Sequence, residues 1–448
     1  MAVNLQVEVS YRQILKTALP ISLALLMPQA NFIINNIFLG HLSQESLAIG
    51  TITGVYYLIF VGIGYGLNNG LQALISRRAG ENKPDEIGKL FQQAVLIALV
   101  IAAVGISITY WMAPAILNAT INSAATSQKA IHFLKIRIWG LPFLFIYQMR
   151  NALLVGINQS KYLVGGTLAE ALVNIGLDYA LIFGAFGFPN LGFNGAAYAS
   201  IVAEFTGMFV IFLLLKIRGI DRQFALFRRS LWNAPLVRSI LHTSGPLIFQ
   251  YAIGIVSWLF FYILIERNND QTSLAVSNTM RNIFGLFGVF AWAFAATTNS
   301  MVSNVIGQGK KDEVIPLIAR IAWLSAGIAL LLGLLLNLFP RLYLSLYGLS
   351  EDFIITGIPI LRLISVAMVL MSFATVWLNA VTGTGNSRVT LLVEFISILL
   401  YSVYVFVVLE ELKLSIFWGW VSELLYWSSL FGLSYFYIRS NRWRRKII

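Results

Sequence analysis

The chain has no cysteine among its 448 residues. That excludes disulfides, thiolate metal sites and cysteine nucleophiles together. Histidine is nearly as scarce. His41, His132 and His242 stand alone near the ends of apolar runs, none with a second ligand at metal spacing, so no metal centre is expected. Charge is the third shortage. Charged residues make up 11% of the chain and hydrophobic residues 58%, against about 25% charged in soluble domains. Such a chain has too little polar surface to face water. Acid is scarcer than base, 19 residues against 31, for a formal charge of +12. This excess does not form a nucleic-acid patch, because the basic residues sit between apolar runs and not over one polar face.

What is present is a series of long apolar runs. A helix needs about 20 apolar residues to cross the hydrocarbon. Twelve runs qualify, at roughly 17–39, 47–75, 90–115, 131–155, 162–186, 193–215, 240–265, 274–303, 315–339, 354–382, 389–409 and 413–438. The first is too long for the core of a signal peptide and is expected to be a retained span. Most loops are short, and no soluble domain is expected. The longest polar stretch, 216–239, divides the chain into a lobe at 1–215 and a lobe at 240–448.

The two lobes repeat one another at an offset of 227 residues. Leu47-Ala48-Ile49 recurs as Leu274-Ala275-Val276, and Ile75-Ser76, Gly80, Lys83, Asp85 and Glu86 recur as Val302-Ser303, Gly307, Lys310, Asp312 and Glu313. Gly156 and Ser160-Lys161 recur as Gly383 and Ser387-Arg388, while Pro20 matches Pro246 one residue out of register. Six spans return the chain to its starting side, so the repeats are parallel, as in transporters whose halves enclose a central pathway.

Lys and Arg set the expected orientation. With the N-terminus inside, inner segments hold 21 of the 31 basic residues and outer loops four: Lys129, Arg267, Arg341 and Lys413. The inner set includes Arg229 in the linker and Lys446 in the tail. Both termini and the linker are then cytoplasmic, in a multi-pass protein of the cell (inner) membrane.

Ionisable residues inside spans are costly and need a partner, a cavity or a function. The candidates are Arg137, Glu170, Asp178, Glu204, Arg281, Arg362, Glu394 and Glu423. Glu170, Asn174 and Asp178 follow at i, i+4 and i+8, one polar stripe on an otherwise apolar fifth helix. Asn35 and Asp178 both lie about 7–12 Å below the outer surface, so they can meet. Pro20 and Pro28 remove backbone hydrogen bonds from the first helix and favour bending. Two readings stand for Asp178: an ion-coupling carboxylate, or an ion pair with Arg137 at similar depth. Glu170 is open between function and a buried hydrogen bond. Glu204 is read first as structural. Asn68, Gln72, Tyr65, Glu204 and Arg281 are weaker candidates for a substrate path. Arg281, Arg362 and Glu423 are expected to form a charge-paired cluster, and Glu394 to pair with Arg388.

The chain resembles the multidrug and toxic compound extrusion (MATE) family. The resemblance rests on Pro20, Gly40-His41-Leu42, Leu47-Ala48, Ser76 to Gly80, Phe188-Pro189-Asn190-Leu191-Gly192 with Gly195-Ala196-Ala197, and Asn304-Val305-Ile306-Gly307-Gln308-Gly309. It implies an all-α membrane fold of twelve helices in two parallel six-helix repeats, and cation-coupled export by alternating access. Some members of the family hold a cation with an Asp on the first helix and an Asn-x-x-x-Asp pair on the fifth. Asn174 and Asp178 match that pair, but Asn35 stands where the first-helix Asp belongs; Glu170 can supply the missing charge. Other members use a Glu on helix seven and an Asp on helix ten. Here Gly254 occupies the first of these positions, and no Asp lies near Met371.

The expected function is therefore an antiporter that exports organic, cationic or amphiphilic compounds against H⁺ or Na⁺, with Na⁺ or a proton at Asp178. The expected partners are the lipid bilayer and a small organic substrate, with no nucleic acid and no cofactor, and the protein is expected to be monomeric. The alternative is a flippase for a lipid-linked sugar or peptidoglycan precursor. No nucleophile–base pair or phosphate loop appears, so no enzyme activity is expected.

Overall fold

The computed structural model describes residues 4–121, 123–228, 232–267, 271–348 and 350–445. Arg229 and Lys446 lie outside them. Among the described residues every long element is a helix. We number them α1 (Tyr11–Leu42), α2 (Gln44–Gly80), α3 (Pro84–Thr120), α4 (Ala124–Gly156), α5 (Ser160–Phe183), α6 (Phe193–Ile217), α7 (Ala234–Arg267), α8 (Gln271–Gly307), α9 (Lys311–Leu338), α10 (Glu351–Gly383) and α11 (Ser387–Glu411). These eleven are long and apolar enough to cross a membrane. A twelfth helix, α12 (Ile416–Arg439), has 24 residues. It carries Trp418, Trp420, Tyr426, Trp427, Tyr435 and Tyr437, together with Glu423. The fold is the expected all-helical membrane architecture.

Local chemistry sets the helix boundaries. Ser43 caps α2 by accepting the Ser46 N–H at 3.0 Å, Pro84 occupies the first turn of α3, and Ser350 caps α10 through the Phe353 N–H at 3.3 Å; each satisfies or removes an orphan donor. The long apolar faces carry large side chains outward. Phe32, Leu172, Val256, Trp323, Leu334 and Leu338 are all exposed, a surface solvated by lipid in a membrane protein.

The chain divides into two units. One comprises Met1–Leu5 and Leu23–Ser244, the other Gln6–Ser22 and Gly245–Ile448. The boundaries therefore fall just ahead of α1, inside α1 and inside α7. The reason for the first crossing is visible in the second unit. Val7, Ile14 and Ala18 share a buried cluster with Phe294, Met301, Val302 and Val305 of α8. The Val7 N–H donates to Asn304 Oδ1 at 3.1 Å. Gln308 Nε2 donates back to Val7 O at 2.9 Å, and Arg320 Nη1 donates to Val9 O at 2.6 Å. The second crossing is enforced in the first unit. A Cβ on Gly70 of α2 would stand 2.8 Å from Ser244 Cα, so only glycine lets the start of α7 lie so close.

The repeat reappears in the backbone of each unit. Asn82 and Gly309, 227 residues apart, each follow a long helix with positive φ, at 56° and 80°. Asn158 and Gly385 form a second such pair, at 61° and 88°. Asn and Gly are the residues that tolerate this conformation. A Cβ on Gly156 would meet Ile75 Cγ2 at 2.6 Å, and one on Gly383 would meet Asn299 O at 2.8 Å. Each unit thus uses one glycine at the same place in the repeat to bring two helices together.

Candidate cation site

Two helices of the first unit bring the relevant groups together. The α5–α6 connection fixes α5. Gly184 ends it in the left-handed conformation at φ 73°, the Leu191 N–H returns to Leu181 O at 2.8 Å, and Asn190 Oδ1 accepts the Gly192 N–H at 3.1 Å. Gly195 then lets α6 approach Leu181 O closely, 2.7 Å from where its Cβ would be. On α5, Asn174 and Asp178 both face inward, at 3% and 0% relative exposure.

Across from them stands α1. Asn31 Nδ2 donates a short hydrogen bond to Asn174 Oδ1. Asn35 is four residues beyond Asn31, and Asp178 four residues beyond Asn174. Both helices are odd-numbered spans and run the same way through the bilayer. Asn35 and Asp178 therefore occupy the next layer, about 6 Å along. Several polar atoms of these two layers are buried and unmatched. Both Asp178 carboxylate oxygens, Asn35 Oδ1, Asn31 Oδ1 and Asn174 Nδ2 have no hydrogen-bond partner. A buried carboxylate with both oxygens unpaired is rare, since desolvation is then uncompensated.

Asn31 was not among the sequence candidates. Its signal was available: Asn31 and Asn35 repeat on α1 the four-residue spacing of Asn174 and Asp178. Pro20 and Pro28 lie within α1, which is helical from Tyr11 to Leu42; Pro20 sits two residues before the point where α1 passes from one unit to the other. Glu170, one turn inward of Asn174, is half-buried against α6, where a Cβ on Gly207 would meet its Oε2 at 2.9 Å.

The alternative reading of Asp178, an ion pair with Arg137, is not what the structure shows. Arg137 instead grips Glu204 with both ends of its guanidinium, Nη2 to Oε1 at 2.5 Å and Nη1 to Oε2 at 3.0 Å. Tyr57 OH accepts from Arg137 at 3.0 Å and donates to Glu204 Oε1 at 3.1 Å. The guanidinium also lies 3.8 Å from the Tyr57 ring centroid. Gly140 makes room: a Cβ there would stand 2.1 Å from Glu204 Oε2. Glu204 is thus fully engaged in tying α2, α4 and α6 together, not a free group on a substrate path. Bidentate geometry explains the choice, since it is open only to a carboxylate facing the guanidinium edge.

The remaining candidates take the following places. Gln72 is buried at 2% relative exposure, and Asn68 donates to Gln148 Oε1 at 2.8 Å. Tyr65 is half-buried on the same helix. In the second unit Glu394 does not pair with Arg388. It accepts from Gln250 Nε2 at 3.1 Å and from Tyr426 OH, so neutral donors satisfy it. Nor do Arg281, Arg362 and Glu423 form a charge-paired cluster. Among the described residues none of the three has an ion pair. Glu423 accepts from Trp427 Nε1 at 2.9 Å, while Arg281 lies against two aromatic rings.

Comparison with known proteins agrees with this architecture. Over 405 residues the chain is 24% identical to a probable multidrug resistance protein NorM of Synechocystis sp., covering 86% of this chain and 85% of that one. It is 23% identical over 451 residues to a probable NorM of Thermotoga maritima, covering 98% and 94%. Its fold matches an outward-facing multidrug resistance MATE family transporter of the MOP superfamily, with TM-score 0.87, 17% identity and coverage of 96% and 95%. It also matches a MOP superfamily transporter from Pyrococcus furiosus, with TM-score 0.88, 16% identity and coverage of 97% of each chain. The MatE family model matches twice, at residues 20–180 and 246–407, so each copy of the repeat begins at its proline, Pro20 or Pro246. Two matches in one chain, over most of its length, are the two lobes of one transporter: the chain belongs to the MatE family of multi-pass membrane transporters.

Proposed function

We propose that this transporter is a secondary-active antiporter that exports organic, cationic or amphiphilic compounds in exchange for H⁺ or Na⁺, with Asp178 as the coupling group. The observation that carries this reading is the buried carboxylate of Asp178, unpaired at both oxygens, one turn along α5 from the Asn31–Asn174 hydrogen bond. Such a group needs a proton or a cation for stability in a low-dielectric interior. Oxygen donors from a carboxylate and amides suit a hard cation such as Na⁺, and the carboxylate by itself suits a proton. Glu170 offers a second carboxylate one turn away. Binding neutralises Asp178 and changes the charge that α1 faces, so α1 repacks; Pro20 and Pro28 already lack the backbone hydrogen bonds that would oppose bending. The driving force is adequate. One charge crossing 100 mV supplies about 2.3 kcal/mol, or roughly a 50-fold gradient of a neutral substrate. For one proton against one monovalent cation the electrical terms cancel, and the ion's chemical gradient drives export. We place both termini in the cytoplasm, in the cell membrane, and take the working unit as a monomer.

Proteoliposomes carrying a fluorescent cationic dye, with an imposed pH or Na⁺ gradient, test the proposal. Gradient-driven dye movement is expected in the wild type, and the effective gradient names the ion. Asp178→Asn should lower that movement at least about tenfold. Full movement in Asp178→Asn would remove this residue from the coupling role.

A further inference from the structure

Arg281 has a place in the second unit that neither its expected pairing nor the coupling site accounts for. It lies ten residues into α8, about 15 Å from the start of that helix, and is exposed along with Asn278 and Asn282 on the same face. A polar stripe of this kind within a span is stable facing water, not lipid. The guanidinium is held by aromatic rings. Its centre lies 5.6 Å from the Trp258 centroid and 5.6 Å from the Tyr262 centroid. These two rings of α7 lie nearly parallel, 6.3 Å apart at 28°.

The platform is rigid. Trp258 packs on Trp420 at 6.3 Å, and Phe261 packs on Trp420 at 5.5 Å; Trp420 and Phe261 are buried. Trp420 Nε1 donates to Ser277 Oγ at 3.1 Å, and Tyr262 OH donates to Ser277 O at 3.2 Å. Ser277 is one helical turn before Arg281, so ring platform and cation are fixed to the same stretch of α8. Among the described residues the cationic charge has no ion pair; its polar neighbour is the Tyr262 hydroxyl, a neutral group. Glu423, the acid of α12, is bound by Trp427 and is not within ion-pair reach of Arg281. Ring faces stabilise a guanidinium without neutralising it, and its in-plane N–H groups suit a carboxylate bound bidentately.

We propose that Arg281, Trp258 and Tyr262 form a binding site for the anionic group of an aromatic amphiphile, so that the second unit receives acidic or zwitterionic compounds. This rests on the reading that the chain carries organic amphiphiles, and it narrows their class: the aromatic body stacks beside Trp258 and Tyr262, and the carboxylate meets Arg281. A coupling carboxylate in the first unit and an anion-binding cation in the second serve different parts of the cycle.

Equilibrium binding separates this site from the export mechanism. Purified full-length protein is titrated with 1-pyrenebutyrate, followed by pyrene fluorescence, and with the neutral 1-pyrenebutanol as a matched probe. The wild type is expected to bind the acid more tightly than the alcohol. Arg281→Gln should weaken binding of the acid at least about tenfold and leave the alcohol within about twofold. Arg281→Lys, which keeps the charge but not the planar fork, should fall between. No preference for the acid in the wild type, or equal loss of both probes in Arg281→Gln, would overturn the proposal. Because binding needs no gradient, loss of dye export in Asp178→Asn with intact pyrenebutyrate binding, or the reverse, assigns each failure to its own site.

Discussion

At the scale of single residues, the first unit treats its two buried acids in opposite ways. Glu204 is bound by Arg137 and Tyr57 through three hydrogen bonds, whereas Asp178 has none. The former ties three helices together, and the latter is the group we propose for coupling. Arg137→Ala would leave Glu204 buried and uncompensated, which costs about 3–5 kcal/mol. Thermal unfolding in detergent should show a clear fall in Tm, and a smaller one when Arg137 and Glu204 are both replaced by leucine. An unchanged Tm in Arg137→Ala would contradict the structural role. A milder effect belongs to the loop after α2. Burial raises the Glu81 carboxyl, but hydrogen bonds from Arg78 and Lys83 outweigh it and hold its pKa below the usual value. A lowered folded-state pKa gives stability that is present above the ordinary carboxylate range and lost as pH falls through the folded value. Unfolding followed across acidic pH should therefore depend less steeply on pH in Glu81→Gln than in the wild type.

At the scale of helices, glycine and asparagine mark where the repeat is built. Gly383 lets α10 meet the backbone of α8, with Asn299 O only 2.8 Å from the place of a Cβ. Backbone cannot yield as a side-chain tip can, so Gly383→Ala should destabilise by about 1–3 kcal/mol. Gly327 on α9 has nothing within 4 Å of that place. There Gly327→Ala adds helix propensity, up to about 1 kcal/mol, and should raise Tm slightly. Two alanine substitutions in one unit with opposite signs are a strict check on the packing. The first helix shows what such local rules miss. Its α-helical pattern was plain, but its early turns belong with the second unit because Asn304, Gln308 and Arg320 hold the backbone ahead of it. No propensity or periodicity predicts a side chain 297 residues away.

At the scale of the whole molecule, six spans per repeat and the distribution of Lys and Arg give a directional prediction. With no native cysteine, single cysteines report sidedness directly. In intact cells a membrane-impermeant maleimide should label Ala125→Cys, in the first turn of α4, and spare Ser440→Cys, just after α12, until the membrane is opened. The reverse pattern would invert the orientation. The family match, which begins at Pro20 and again at Pro246, locates the repeat seen in the sequence without deciding which way it faces.

The sequence by itself determined the solvent, the spans and the repeat. Shortage of charge, runs of about 20 apolar residues and an offset of 227 residues are one-dimensional signals, and lipid enforces helices wherever they occur. It also placed Asn174 and Asp178 on one face of α5, because a helix sets i and i+4 side by side. The tertiary structure alone decided partners. Arg137 had two acids at similar depth, and geometry gave it Glu204; Glu394 had a nearby arginine, and packing gave it Tyr426 and Gln250. Asn31 became part of the candidate site only when α1 lay beside α5. Depth along a helix is legible in a sequence, but rotation about its axis and the identity of its neighbour come from packing, and these decide which charges are satisfied and which are left to bind something else.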